Sequence, residues 1–114
     1  MRETETPRRV LLDENVDRQI QPLFGPGLRV VTVRERGWDG LQNGALLRAA
    51  ADEFDVFVTT DRNLPFQQNL AALDLAVVVI RAVSNAFRDV APLMPSVDAA
   101  VRRAETGAAI VVTR

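Results

Sequence analysis

The chain alternates short, continuous apolar runs with segments whose apolar residues recur at helical spacing. Arg9 to Leu12 (RVLL) reads as a buried strand ending in a polar tip, Asp13-Glu14-Asn15. Val16 to Phe24 suits a short helix, with Asn15 as its N-cap and Gly25-Pro26-Gly27 as its stop. Leu28 to Val33 (LRVVTV) is a second strand, and Arg34 to Gly37 is a tight turn or one helical turn before Trp38. Asn43 opens the clearest helix, in which Leu46, Leu47, Ala50 and Phe54 share a face. Asp55 to Thr60 (DVFVTT) is a third strand that also ends on an acid, Asp61. Arg62 to Leu70 is a polar loop or short helix containing Pro65, and Leu75 to Ile80 (LAVVVI) is a fourth strand. Asn85 to Glu105 is a helical region interrupted near Pro92 and Pro95 and closed by Gly107. Ala109 to Thr113 is the last strand.

Strands that alternate with helices, and that are apolar throughout, belong to a mostly parallel sheet covered on both faces. The expected class is therefore α/β. With 114 residues and no linker, repeat or low-complexity tract, one domain over residues 1–114 is expected, with Met1 to Pro7 as a frayed polar leader.

Composition narrows the chemistry. There is no Cys, His, Tyr or Lys, and all 14 basic residues are Arg. Disulfides, thiolate zinc sites, imidazole bases, tyrosyl nucleophiles and Schiff bases are thereby excluded. Carboxylates, Arg, hydroxyls and amides remain, and a carboxylate enzyme works most economically by holding a hard metal ion. A net charge of -1 is not the footprint of bulk electrostatic binding to nucleic acid. A metal at an acidic site reverses the local sign, so nucleic acid stays open as a substrate. No apolar stretch reaches the length of a membrane span, no signal peptide is apparent, and the expected location is the cytoplasm.

Ligands of an open parallel sheet bind beyond the carboxyl ends of its strands. Asp13 and Asp61 each follow a strand, and on adjacent parallel strands their carboxylates come close enough to share one Mg2+ or Mn2+. An Asp after a strand is also a common cap or turn residue. Glu14 is a supporting acid or a solvated one. Asn15 and Asn63 hold the metal or its waters, or act as caps, and Asn43 carries the same ambiguity. Glu35 and Asp39 are candidates for a third carboxylate or are loop acids, and Asp17 is more simply a surface residue. Arg62 can pair with a phosphate or offset the acids. Gln67, Gln68 and Asn69 form an amide run that can contact a nucleic-acid backbone or the bases of a single strand, or that is an ordinary exposed loop, and Trp38 and Phe66 are stacking candidates or core. Phe87, Val90, Leu93, Met94 and Val97 offer more apolar surface than one small core is expected to cover, so a homodimer or a complex with a second protein is expected.

The pieces VLLDEN, VVTVRERGWDGLQNGALLRAA, FDVFVTTDRNLPFQQNL and AVVVIRAVSN, in order over roughly residues 9–90, resemble the PIN-like family of small predicted nucleases. Its members are typically toxin components of type II toxin–antitoxin pairs. The resemblance implies a three-layer α/β/α sandwich, a Mg2+- or Mn2+-dependent ribonuclease site, an RNA substrate and a cognate antitoxin. It maps the first metal-binding acid onto Asp13 and the later one onto Asp61, with Glu14, Asn15, Asn43, Arg62 and Asn63 at surrounding motif positions. This chain departs from the family where Asn43 stands at the helix start and Arg62-Asn63 follow Asp61, positions at which further acids are usual. Two carboxylates plus amides point to a single-metal nuclease or to a non-catalytic PIN-like binding module. A receiver-type phosphoacceptor is disfavoured because its chemistry normally needs a lysine.

Overall fold

The computed structural model describes residues 7–113, and the expected leader therefore lies outside them except for Pro7. Five strands form one sheet: β1 (Arg8–Leu12), β2 (Leu28–Thr32), β3 (Val56–Thr59), β4 (Ala76–Arg81) and β5 (Ala109–Thr113). All neighbours pair in parallel, in the order β2-β1-β3-β4-β5. The helices are α1 (Val33–Arg36), α2 (Asn43–Glu53), α3 (Leu64–Gln67), α4 (Phe87–Val90) and α5 (Met94–Arg103). Short 3-10 segments occupy Arg18–Leu23, Leu70–Ala72 and Ala91–Leu93.

Side chains alternate along each strand, so β1, β3 and β4 feed two separate cores. Val10, Leu12, Val56, Val58, Val78 and Ile80 face the 3-10 segment at Arg18–Leu23 together with α4 and α5. Leu11, Phe57, Val77 and Val79 face α2, α3 and the segment at Leu70–Ala72. This is the three-layer α/β/α arrangement, and it explains why the central strands carry no polar half. The β4-to-β5 crossover uses the same sheet face as the β1-to-β2 crossover but travels the other way across the sheet. It therefore has the hand opposite to the other three crossovers, a rare arrangement. It lets α4 and α5 cover a face that one short 3-10 segment cannot.

Several local expectations are corrected. Asn15 does not cap the first helical segment; Asp17 does, its carboxylate accepting from the Gln19 amide at 2.8 Å. That segment is 3-10 rather than α, and it contains Pro22, whose missing N–H and bulky ring disfavour α-helical bonding. Pro95 does not interrupt the late helix: it lies in the first turn of α5, where no intrahelical donor is required. The apolar set expected to serve a partner is spent within the chain. Val90, Leu93, Met94 and Val97 are buried, and Phe87 packs against the same core.

The turn before β2 is clamped from α5. Asp98 accepts from the Gly25 amide at 2.7 Å, while the Arg102 guanidinium bonds both Asp98 and the Pro26 carbonyl. A side chain at Gly25 would press on that pair, at 3.1 Å from Arg102 and 3.3 Å from Asp98. Arg102 and the Gly25 amide hold the Asp98 carboxyl below its ordinary range.

Candidate metal and phosphate site

The strand order reverses between β1 and β3: the chain leaves β1 toward one edge and β3 toward the other, on opposite faces. Such a switch point opens a crevice at the carboxyl ends of the two strands. Asp13 ends β1 there, and its amide extends the ladder by donating to the Val58 carbonyl at 2.9 Å. Since Leu12 is in register with Val58, the residue opposite Asp13 is Thr59. Asp61 lies two residues farther along, past the end of β3.

Thr59 joins the two acids. Its hydroxyl donates to Asp13 Oδ2 at 2.7 Å and accepts from the Asp61 amide at 3.0 Å. It is the only polar residue in the buried class among the described residues. The Asp13 Oδ1 atom accepts from the Glu14 amide at 2.8 Å. Burial pushes the Asp13 carboxyl above its ordinary value, the Thr59 and Glu14 hydrogen bonds oppose this, and the Glu14 and Asp61 charges add to the rise. Asp13 is thus held where its charge is costly. Sequence reasoning passed over Thr59; a hydroxyl at the end of an all-apolar strand, two residues before an acid, was the available signal.

The remaining candidates divide. Asn15 bridges the tips: its Oδ1 accepts from the Thr60 amide at 3.2 Å, and its Nδ2 approaches the Thr59 hydroxyl at 3.4 Å. Asn63 contributes its backbone, donating to Asp61 Oδ1 at 3.0 Å in a tight turn, and its side chain is exposed. Glu14 reaches the Gly40 amide at 3.3 Å and ties the loop before α2 to the tip of β1. Asn43 is the first residue of α2, while Gln42 holds the cap position and gives no side-chain cap bond. Arg62 is exposed and forms no ion pair among the described residues. Gln67 closes α3, and both Gln67 and Asn69 are exposed.

Two candidates for a third carboxylate are not gathered in. Glu35 closes a capping box on α1: Oε1 accepts from the Thr32 amide, the Thr32 hydroxyl accepts from the Glu35 amide, and Gln21 adds a further bond to Oε1. The Thr32 amide, then Gln21, hold this carboxyl below its ordinary range. Asp39 is exposed in the loop that follows α1. Among the described residues no group of three or more acids could together hold a metal ion. Trp38 is not a free stacking platform: it meets Phe54 edge-on at 6.0 Å, and the Arg36 guanidinium lies 4.4 Å from its ring centre. Phe66, in contrast, is 89% exposed.

A cleft of about 630 Å³ opens beside Asp13, lined also by Glu14, Asp17, Arg18, Arg34 and Glu35. Asp61 lies outside this lining, at the neighbouring strand tip; an ion held by only one or two acids keeps most of its water, as Mg2+ does. Such a pair would suit a single hydrated ion, and among the described residues no larger group of acids joins it. No helix of the described residues is long and apolar enough to cross a membrane. Comparison with protein-family models, curated proteins and solved structures finds no match to the chain.

Proposed function

We propose that this domain is a cytoplasmic, metal-dependent endoribonuclease of PIN-like type that acts as the toxin of a toxin–antitoxin pair. The observation that carries the reading is the pair Asp13 and Asp61, set at the tips of two adjacent strands at the switch point, with the Thr59 hydroxyl between the Asp13 carboxylate and the Asp61 backbone amide. Asp13 and Asp61 would hold the ion, with Asn15 and Glu14 keeping the strand tips in place. A bound Mg2+ or Mn2+ supplies an acidified water and neutralises charge developing on the phosphate. Thr59 fixes the direction of the Asp13 carboxylate, so that its remaining lone pairs stay available. Arg62, exposed beside Asp61, offers a planar fork to phosphoryl oxygens, and Gln67 and Asn69 extend the same loop toward an RNA backbone. The toxin role and its antitoxin rest on the family resemblance of the sequence. The test is cleavage of generic RNA in Mg2+ or Mn2+ against an EDTA control, with growth arrest on induction as the cellular arm. Cleavage that EDTA does not affect, or that survives Asp13→Asn and Asp61→Asn, contradicts the reading.

A second reading has its own support. With Glu35 engaged in its capping box and no group of three acids able to hold a metal among the described residues, the fold suits a non-catalytic module that binds RNA or protein. RNA that is bound with or without metal, and never cut, would favour it.

A further inference from the structure

The two edges of the sheet are treated differently. On β2, the outer side is occupied by the chain's own side chains. Gln21 donates to the Val30 carbonyl at 2.8 Å, and Glu35 accepts from the Thr32 amide at 2.9 Å. The strand also carries a charge, Arg29. These are ordinary ways of blunting an edge.

On β5 nothing comparable is present among the described residues. Its sequence, Ala-Ile-Val-Val-Thr, has no charge, no proline and no glycine. Val77, in register with Ala109, donates to the Ala108 carbonyl, so Ala108, Ile110 and Val112 turn their backbone groups toward β4. Ala109, Val111 and Thr113 therefore turn both N–H and C=O outward. No side chain among the described residues bonds to them, and Val111 is 48% exposed.

We infer that β5 is a self-pairing edge, and that its partner is β5 of a second copy of this chain in antiparallel register about a two-fold axis at Val111. The register is self-consistent. An axis at Val111 sets Val111 opposite itself and Ala109 opposite Thr113, so every outward-facing residue meets an outward-facing residue. Each such pair exchanges both of its hydrogen bonds. Ile110 falls opposite Val112 and lengthens an apolar row that already joins the core. No like charges oppose each other, and the contact is isologous, so it closes as a dimer rather than running on as a fibre. A second copy is the occupant because the strand complements itself in hydrogen bonding and in side-chain character.

The test combines sedimentation equilibrium from micromolar to millimolar protein with amide hydrogen exchange. A dimer is expected, with the Ala109, Val111 and Thr113 amides becoming protected as concentration rises. The Ile110 and Val112 amides should be protected at every concentration, because β4 already holds them. Val111→Pro removes an outward donor and leaves the ladder to β4 intact, and Val111→Lys places like charges on the axis. Both should be monomeric, with a circular dichroism spectrum like the parent's. A parent that stays monomeric at millimolar concentration overturns the inference, as does a dimer that survives both Val111 variants. Protection of the outward amides only on adding a different protein overturns it as well.

Discussion

The hydroxyl of Thr59 donates to Asp13 Oδ2 at 2.7 Å across the gap between β1 and β3. The bond links the two strands at the point where the sheet reverses its order, and the same oxygen receives the Asp61 amide. Removing the donor acts on the charge of Asp13. Burial already raises the Asp13 carboxyl, and Thr59 is the largest influence opposing that rise. Thr59→Val should therefore raise it further, and Thr59→Ser should not, as read from carboxyl chemical shifts. The sign for stability follows from linkage. A carboxyl raised in the folded state favours folding most below its ordinary value, and that contribution is lost as pH rises through the folded value. Relative to the parent, Thr59→Val should cost about 1–3 kcal/mol near neutral pH and less in acid, where Asp13 is protonated. An equal loss at both pH values would contradict this.

Asp98 titrates in the opposite sense. Arg102 and the Gly25 amide hold its carboxyl down, so its contribution is present above the ordinary aspartate value and lost as pH falls through its lower folded value. Asp98→Ala should destabilise by about 1 kcal/mol near neutral pH, through the lost bond to the Gly25 amide, and by less in acid. Denaturant melts at the two pH values check it. A penalty that grows in acid would show that the carboxylate is not what clamps the turn.

Glu35 separates a structural acid from a catalytic one. As part of a capping box, its replacement by Ala should lower stability by about 0.5–1 kcal/mol and leave metal-dependent cleavage intact. Retained stability together with lost cleavage would make it a working carboxylate after all.

Strand positions and the buried face of α2 were legible because apolar runs and helical spacing register burial directly: Leu46, Leu47, Ala50 and Phe54 are all buried. The acidic tips could be read because a charge cannot continue into a layer buried on both sides. Three features could not be read locally. Thr59 belongs to the site through its register with Asp13, a contact 46 residues away in sequence. Strand order depends on crossovers that no single segment encodes. The apolar positions of α4 and α5 looked surplus because the sequence does not reveal how little of that face the Arg18–Leu23 segment covers.

Arg62 should matter for chemistry and not for folding, since it is exposed and unpaired among the described residues. Arg62→Ala should melt like the parent but cleave poorly. Arg62→Lys should remain impaired, because an ammonium cannot reproduce the planar fork. Full cleavage by Arg62→Ala would remove Arg62 from the site.

The central claim is that Asp13 and Asp61 form one cation site. Thermal melts of the parent, Asp13→Asn and Asp61→Asn, each with and without Mn2+, test it directly. An ion that binds only the folded state raises the melting temperature of the parent. Each Asn variant relieves charge at the crevice while keeping an acceptor for the Thr59 hydroxyl or the Asn63 amide. Metal-free, both variants should melt at or slightly above the parent, and neither should respond to Mn2+. A parent that Mn2+ does not stabilise, with variants that melt about 1 kcal/mol less stable as lost caps would, contradicts the account.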